Sequence, residues 1–390
     1  MNRKLLLAGV AAMTVASSAY AIPAFARQMN VSCVACHTDN GYPALTRFGR
    51  DFKASGYTMV AEKTIDDNGP KNKFMSIPDA LNVSVVAEPS VTKETGSSTT
   101  VTTNAVGVFI GGRIGEHMGS FVEIGYDDGG ASANGAWSLA NFVVPLTYKV
   151  GDNTYGIVPF NTDGHGVTGG FEVLNIRHGA LGKLGISHGS AAQGVGVYMY
   201  NENFNINYTA WSQGNKSASG VKLASSVKVA YTPQIGDWDL AVAVQYMFGN
   251  TNDVTANDAA IANTSLKARA FAFDFQALGN VSGLPVDFVA TYANAANDSV
   301  AIGGLTANNK TAFVGDLAVG VIPRRLILLG NYARTDDGKN AVGVDAKNNA
   351  EMLGLRYFLM QNVYAQTDIT FNSSNQQPNK AWGFSMSIAF

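Results

Sequence analysis

Residues 381–390 read Ala381-Trp382-Gly383-Phe384-Ser385-Met386-Ser387-Ile388-Ala389-Phe390. Large apolar and aromatic side chains hold the even positions, and small or hydroxylated ones hold the odd. A strand turns successive side chains to opposite faces, so this stretch has one greasy face and one small, polar face. The same alternation recurs upstream. Trp238, Leu240, Val242, Val244, Tyr246 and Phe248 oppose Asp239, Ala241, Ala243 and Gln245, while Phe271, Phe273 and Phe275 oppose Ala272, Asp274 and Gln276. Leu284, Val286, Phe288 and Tyr292 continue it, as do Leu353, Leu355, Tyr357 and Leu359. A soluble sheet would need a second hydrophobic layer to cover so much greasy surface. Repeated pieces of roughly ten residues without such a layer are the pattern of a transmembrane β-barrel.

Composition agrees. Charged residues are 14%, against ~25% in ordinary soluble domains. Glycine supplies 42 of 390 residues, and the formal charge of −2 gives no reason to expect a nucleic-acid partner. Residues 1–21 read as a secretory signal peptide. Arg3 and Lys4 precede the apolar run Leu5–Val15, and Ala19-Tyr20-Ala21 offers a small-x-small cleavage site. That run is too short for a membrane-spanning helix, which needs roughly 20 residues.

Short turns are predicted near 148–153, 233–237, 279–284, 322–325 and 360–362. Long polar loops are predicted near 89–100, 127–135, 212–222, 249–263, 295–309, 335–348 and 373–379. Barrels of the bacterial outer membrane have short periplasmic turns and long outer loops. The expected fold is therefore all-β: a transmembrane antiparallel β-barrel of about 16 strands over residues 79–390, in the outer membrane. Both of its ends should face the periplasm. The connection 161–191, which holds His165, His178 and His188, is long enough either to fold into the lumen or to form a surface lobe.

Residues 22–78 differ. In Pro43–Tyr57, Leu45, Phe48 and Phe52 recur at helical spacing with Gly56 as a stop, and 61–78 reads as a polar linker. The chain's two cysteines both fall in Cys33-Val34-Ala35-Cys36-His37. Two thiols two residues apart with histidine next is the haem c attachment pattern. Both sulfurs reach the vinyl groups and the imidazole becomes the proximal ligand. A periplasmic disulfide or redox dithiol is the competing reading, but no thioredoxin-like βαβ pattern surrounds the pair. A zinc site would want ligands that are not visible. Met59 is the candidate distal ligand, and a Met/His pair would raise the potential. Met29, Met75 and the loop histidines are rivals. The segment is short for a free-standing haem domain, so it is expected to borrow the barrel's inner wall as a plug. No nucleophile–base constellation suggests hydrolysis.

Ala24-Phe25-Ala26-Arg27-Gln28, Cys33–His37, Pro43, Leu45, Phe48-Gly49-Arg50, Phe52-Lys53 and Gly56-Tyr57 together resemble the head of the fused monohaem cytochrome–porins, the outer-membrane iron oxidases of iron-oxidising bacteria. The match covers about residues 22–60; the barrel agrees in architecture and length only. The resemblance implies a single haem on Cys33 and Cys36, ligated by His37. That haem would take an electron from extracellular Fe(II) and pass it to a periplasmic cytochrome. Two alternatives stand beside it: a conduit with a different extracellular donor or acceptor, and a diffusion porin carrying a haem segment. Outer-loop acids such as Asp128, Asp163, Asp253 and Asp336 either attract a hard cation or solvate the loops as exposed acids ordinarily do.

Overall fold

The computed structural model describes residues 22–41, 44–66, 75–103, 105–127, 136–162, 172–174, 179–184, 191–214, 222–252, 265–295, 310–339, 345–374 and 377–390. The signal peptide and His165, His178 and His188 lie outside them, as do Asp128, Asp163 and Asp253.

Sixteen spanning strands close one antiparallel barrel. They are β1 (Val83–Ala87, resuming at Ser90–Glu94), β2 (Thr99–Thr102 and Val106–Gly115), β3 (Met118–Asp127) and β4 (Ala136–Val143 and Leu146–Val150). Next come β5 (Asn153–Thr162), β6 (Ala192–Tyr200), β7 (Phe204–Gln213), β8 (Ala224–Tyr231, continued by Gln234–Ile235) and β9 (Trp238–Phe248). The circuit finishes with β10 (Ala270–Val281), β11 (Leu284–Ala295), β12 (Lys310–Ile322), β13 (Leu326–Lys339), β14 (Asp345–Met360), β15 (Val363–Ser374) and β16 (Gln377–Ala389). β16 pairs with β1, and Phe390 exchanges backbone hydrogen bonds with Val85 at 2.9 and 3.0 Å. Closure leaves no unpaired edge, as a backbone in hydrocarbon requires.

The predicted faces are the observed ones. Val244, Tyr246, Phe273, Leu353 and Trp382 point outward and are exposed, while Ala241, Ala243, Gln245, Asp274 and Gln276 point inward and are buried. Two predicted loops are largely strand: β13 and β14 extend over much of 335–348, and β15 and β16 over most of 373–379. Their ends are polar on both faces, so the alternation fades while the backbone ladder continues.

The N-terminal segment lies within the barrel, at the end that carries the short turns. Its helices are α1 (Pro23–Met29), α2 (Cys33–Cys36) and α3 (Arg47–Ala54). Thr46 caps α3, its hydroxyl accepting from Gly49 N at 3.1 Å. Gly56 follows the C-cap with φ +70°. The wall meets the segment through inward side chains: Tyr198 donates to Ala54 O at 2.7 Å and Tyr200 to Asp51 at 2.6 Å. The described parts of 61–78 are paired rather than free. Thr64–Asp66 pairs with Ser76–Pro78, and Arg113 of β2 donates to Ser76 O at 3.0 Å. The polar composition that suggested a linker belongs to a ribbon whose partner is the barrel.

The described parts of the 161–191 connection also lie inside. A short helix, α4 (Ala180–Lys183), packs on β10–β12, and Ala180 N donates to Thr291 Oγ1 at 2.7 Å. Alanines on the facing wall, among them Ala272, Ala293 and Ala312, make room for it.

Candidate functional site

α2 is one turn of helix. His37 N donates to Cys33 O at 2.9 Å, Thr46 N to Cys36 O at 2.9 Å, and Thr46 Oγ1 to Ala35 O at 2.6 Å. These bonds hold the cysteine turn against the start of α3. The contact is close: a Cβ on Gly49 would lie 2.2 Å from Cys36 O, so only glycine fits there.

Cys33 and His37 open onto a cavity of about 440 Å³ between this turn and the barrel's rim, within the usual range for ligand pockets. The rim contributes the β12–β13 turn with Arg324 and Arg325, Met360 at the end of β14, and Asn362 in the β14–β15 turn. Phe358 and Tyr364 form apolar wall, their rings 5.4 Å apart, with the Arg356 guanidinium 4.7 Å from the Tyr364 ring centre. The Cys33 thiol lies 3.2 Å from Asn362 Oδ1, Arg324 N donates to Asp39 O at 3.2 Å, and Arg324 Nε donates to Asp39 Oδ1 at 2.6 Å. Two periplasmic-type turns thus clamp the cysteine turn.

Burial pushes the Cys36 thiol up to about 11, with the neighbouring Cys33 adding to the effect, and burial raises Cys33 as well. A redox dithiol works through an easily formed thiolate, so these surroundings disfavour that reading. The residues present fit a covalent haem: two thiols and an imidazole on one turn, an apolar floor and wall, and two guanidinium groups able to pair with propionate carboxylates. Cys36 is not among the lining residues but closes the same turn.

Met59 is elsewhere. It packs partly buried against the main core cluster, its carbonyl accepting from Gln28 Nε2 at 2.5 Å, and it does not line the cavity. Sequence reasoning missed Met360, Arg324, Arg325 and Tyr364 because it read their surroundings only as short turns. Their approach to residue 37 spans some three hundred residues of chain and leaves no local pattern.

No family model matches the chain, and no curated protein matches it. Solved structures do. A loop L8 deletion mutant of OmpT, an outer membrane protein of Vibrio cholerae, is 12% identical and superposes with a TM-score of 0.51 over 79% of this chain and 98% of that one. The outer membrane channel DcaP of Acinetobacter baumannii is 12% identical with a TM-score of 0.53, covering 79% and 96%. An anion-selective porin from Comamonas acidovorans is 11% identical with a TM-score of 0.51, covering 79% and 98%. The chain has the fold of an outer-membrane porin. Its place is the bacterial outer membrane, and its short-turn end, with the cavity, faces the periplasm.

Proposed function

We propose that this protein is an outer-membrane electron carrier with one c-type haem attached at Cys33 and Cys36 and ligated by His37, taking electrons from extracellular Fe(II) and delivering them to a periplasmic cytochrome. The observation that carries this reading is the convergence of the cysteine turn, the apolar wall and the two arginines on one cavity at the periplasmic mouth. When bound, the haem supplies a one-electron centre, which matches a one-electron donor. A periplasmic partner would meet the haem directly at that mouth.

The donor must come from the other side of a band roughly 25 Å tall. The lumen is filled unevenly, which bears on its route. Inward positions of β9–β12 are almost wholly buried, such as Ala241, Ala293 and Val314. Gln366, Asp368 and Thr370 of β15 and Ser385 of β16 remain partly exposed, although Gly383 and Ser387 of β16 are buried. This strip runs along the wall from Tyr364, at the cavity, toward the outer loops. Asp368, with Glu94 of β1 further along, places two carboxylates on it beyond the Arg356 guanidinium that donates to Gln366, so its outer part favours a cation.

Mixing Fe(II) anaerobically with the purified oxidised protein should develop the reduced haem spectrum. Asp368→Asn should slow that reduction several-fold while leaving reduction by dithionite unchanged. Reduction by dithionite but not by Fe(II) would contradict the iron reading and favour a different donor. The porin fold and the partly exposed strip favour a second reading, a diffusion porin carrying a haem segment. Conductance in planar bilayers separates them, since a largely plugged carrier passes little current.

A further inference from the structure

We propose that Lys93 of β1 and Lys380 of β16, on the lipid-facing side of the barrel seam, bind the phosphate of an outer-leaflet glycolipid. The site needs only the closed barrel and its place in the outer membrane, and is independent of the haem.

The register sets which way both side chains point. Lys93 pairs with Trp382, and Trp382 is 46% exposed on the outer wall. Lys380 stands two residues along β16 from Trp382, so all three share the lipid-facing side. Both lysines are exposed. The neighbouring Glu94 and Asn379 turn inward and hydrogen-bond to each other. Height follows from the same ladder. Phe390 joins Val85 at the short-turn end, and Lys380 lies ten residues before it. A strand rising about 3.3 Å per residue at a tilt of about 40° climbs roughly 25 Å over that stretch, the full height of the apolar band. Lys380 therefore sits at the level of the outer headgroups. Lys93 starts two residues lower, and its long stem lets the ammonium reach the same level.

Across the β16–β1 rung the two lysines are diagonal neighbours, close enough for long side chains to meet. They are held there. Thr95, just beyond β1, donates to Lys380 O through N at 2.9 Å and through Oγ1 at 3.1 Å. Neither ammonium has an ion-pair partner among the described residues. Lys380 lies 5.5 Å from the Phe371 ring centre. The outward row continues through Phe371 to Glu351, two strand spacings or about 10 Å away. Two like charges held side by side repel, and a phosphate between them replaces that cost with two charge-assisted contacts. Basic clusters at a membrane surface recognise anionic headgroups in this way. Free phosphate would meet the same cations, but the site opens sideways onto the bilayer. Trp382 and Phe384, exposed below it, offer their rings to acyl chains. The occupant that fits both parts is a phosphorylated lipid.

The test titrates full-length protein, purified from outer membranes, with bisphosphorylated lipid A and reads the bound lipid by native mass spectrometry. Each variant is first checked for a closed barrel by heat-modifiable gel mobility. The wild type should retain one lipid A. Lys93→Gln/Lys380→Gln should weaken that binding roughly tenfold or more, as the loss of two interfacial cations implies. Lipid A stripped of its phosphates should bind the wild type no better than the double variant binds the intact lipid. Excess inorganic phosphate should leave the lipid in place. Lys149→Gln, which removes an exposed lysine at the periplasmic end, should bind as the wild type does. Should the double variant fail to form a barrel, Lys93→Gln and Lys380→Gln serve singly, each weakening binding several-fold. A wild type that retains no lipid A, equal affinity of the wild type and the Lys93 and Lys380 variants, or equal binding of both lipid A forms would overturn the site. So would displacement by inorganic phosphate, or the same loss in Lys149→Gln.

Discussion

Arg50 is almost fully buried inside the barrel, and the two terminal nitrogens of its guanidinium donate to both carboxylate oxygens of Asp239 at 2.6 and 2.8 Å, while Nε is buried without a hydrogen-bond acceptor among the described residues. A fork-to-fork pair of this kind fixes position as well as energy, and it ties α3 to the wall of β9. Removing one partner strands a buried charge, at a cost of about 3 kcal/mol or more. Arg50→Ala should therefore expose the N-terminal segment to limited proteolysis while the barrel keeps its heat-modifiable mobility; an unchanged digestion pattern would show that the pair does not hold the plug. Gly49→Ala acts through a different cause, since its added methyl would overlap Cys36 O. It should lower the yield of attached haem relative to the protein present, as measured by haemochrome per barrel, and an unaltered ratio would show that the turn can yield. Several residues that carried the family resemblance prove to be docking residues. Gln28 joins Tyr57 O and the β2 backbone at Arg113, Phe25 stacks on Tyr57 at 4.8 Å, and Phe52 lies edge-on to both. The sequence marked them out, but which barrel positions they meet depends on a closure no local pattern encodes.

At the scale of elements, the strands were the most legible part because their outward face meets lipid throughout and must alternate without interruption. Outer strand ends are less so, being polar on both sides, and the sequence of the long connection is compatible with an inward course or a surface lobe alike. Its described residues are held by charge. Lys228 of β8 lies 2.5 Å from Glu172 and 3.1 Å from Asp274 of β10, with all three side chains nearly buried. Removal of the lysine leaves two buried carboxylates facing each other with only Lys53, on the plug, still acting on Glu172, costing the loop about 3 kcal/mol of docking free energy. Lys228→Met should accordingly raise single-channel conductance, and that increase should be absent from Glu172→Gln/Lys228→Met, which relieves part of the repulsion. Equal conductance of the wild type and Lys228→Met would mean the triad is not what holds the loop in the lumen.

For the whole molecule, the plug and the barrel each supply what the other lacks. About forty residues of helix and turn are too few to enclose a haem, while the barrel without them would be an open aqueous channel. Their union puts the cysteine turn at the periplasmic mouth, beneath a partly exposed strip of inner wall whose outer part is acidic. The motif was legible because two cysteines and a histidine stand in sequence; the cavity was not, because its far side comes from two turns near the chain's C-terminal end. The pyridine haemochrome of full-length protein, purified from outer membranes and compared with its Cys33→Ala/Cys36→Ala variant, tests the whole arrangement most directly. One thioether-linked haem per wild-type barrel, and none in the variant, is the expected result. A correctly closed wild-type barrel that carries no covalent haem, from cells able to mature c-type cytochromes, would contradict it.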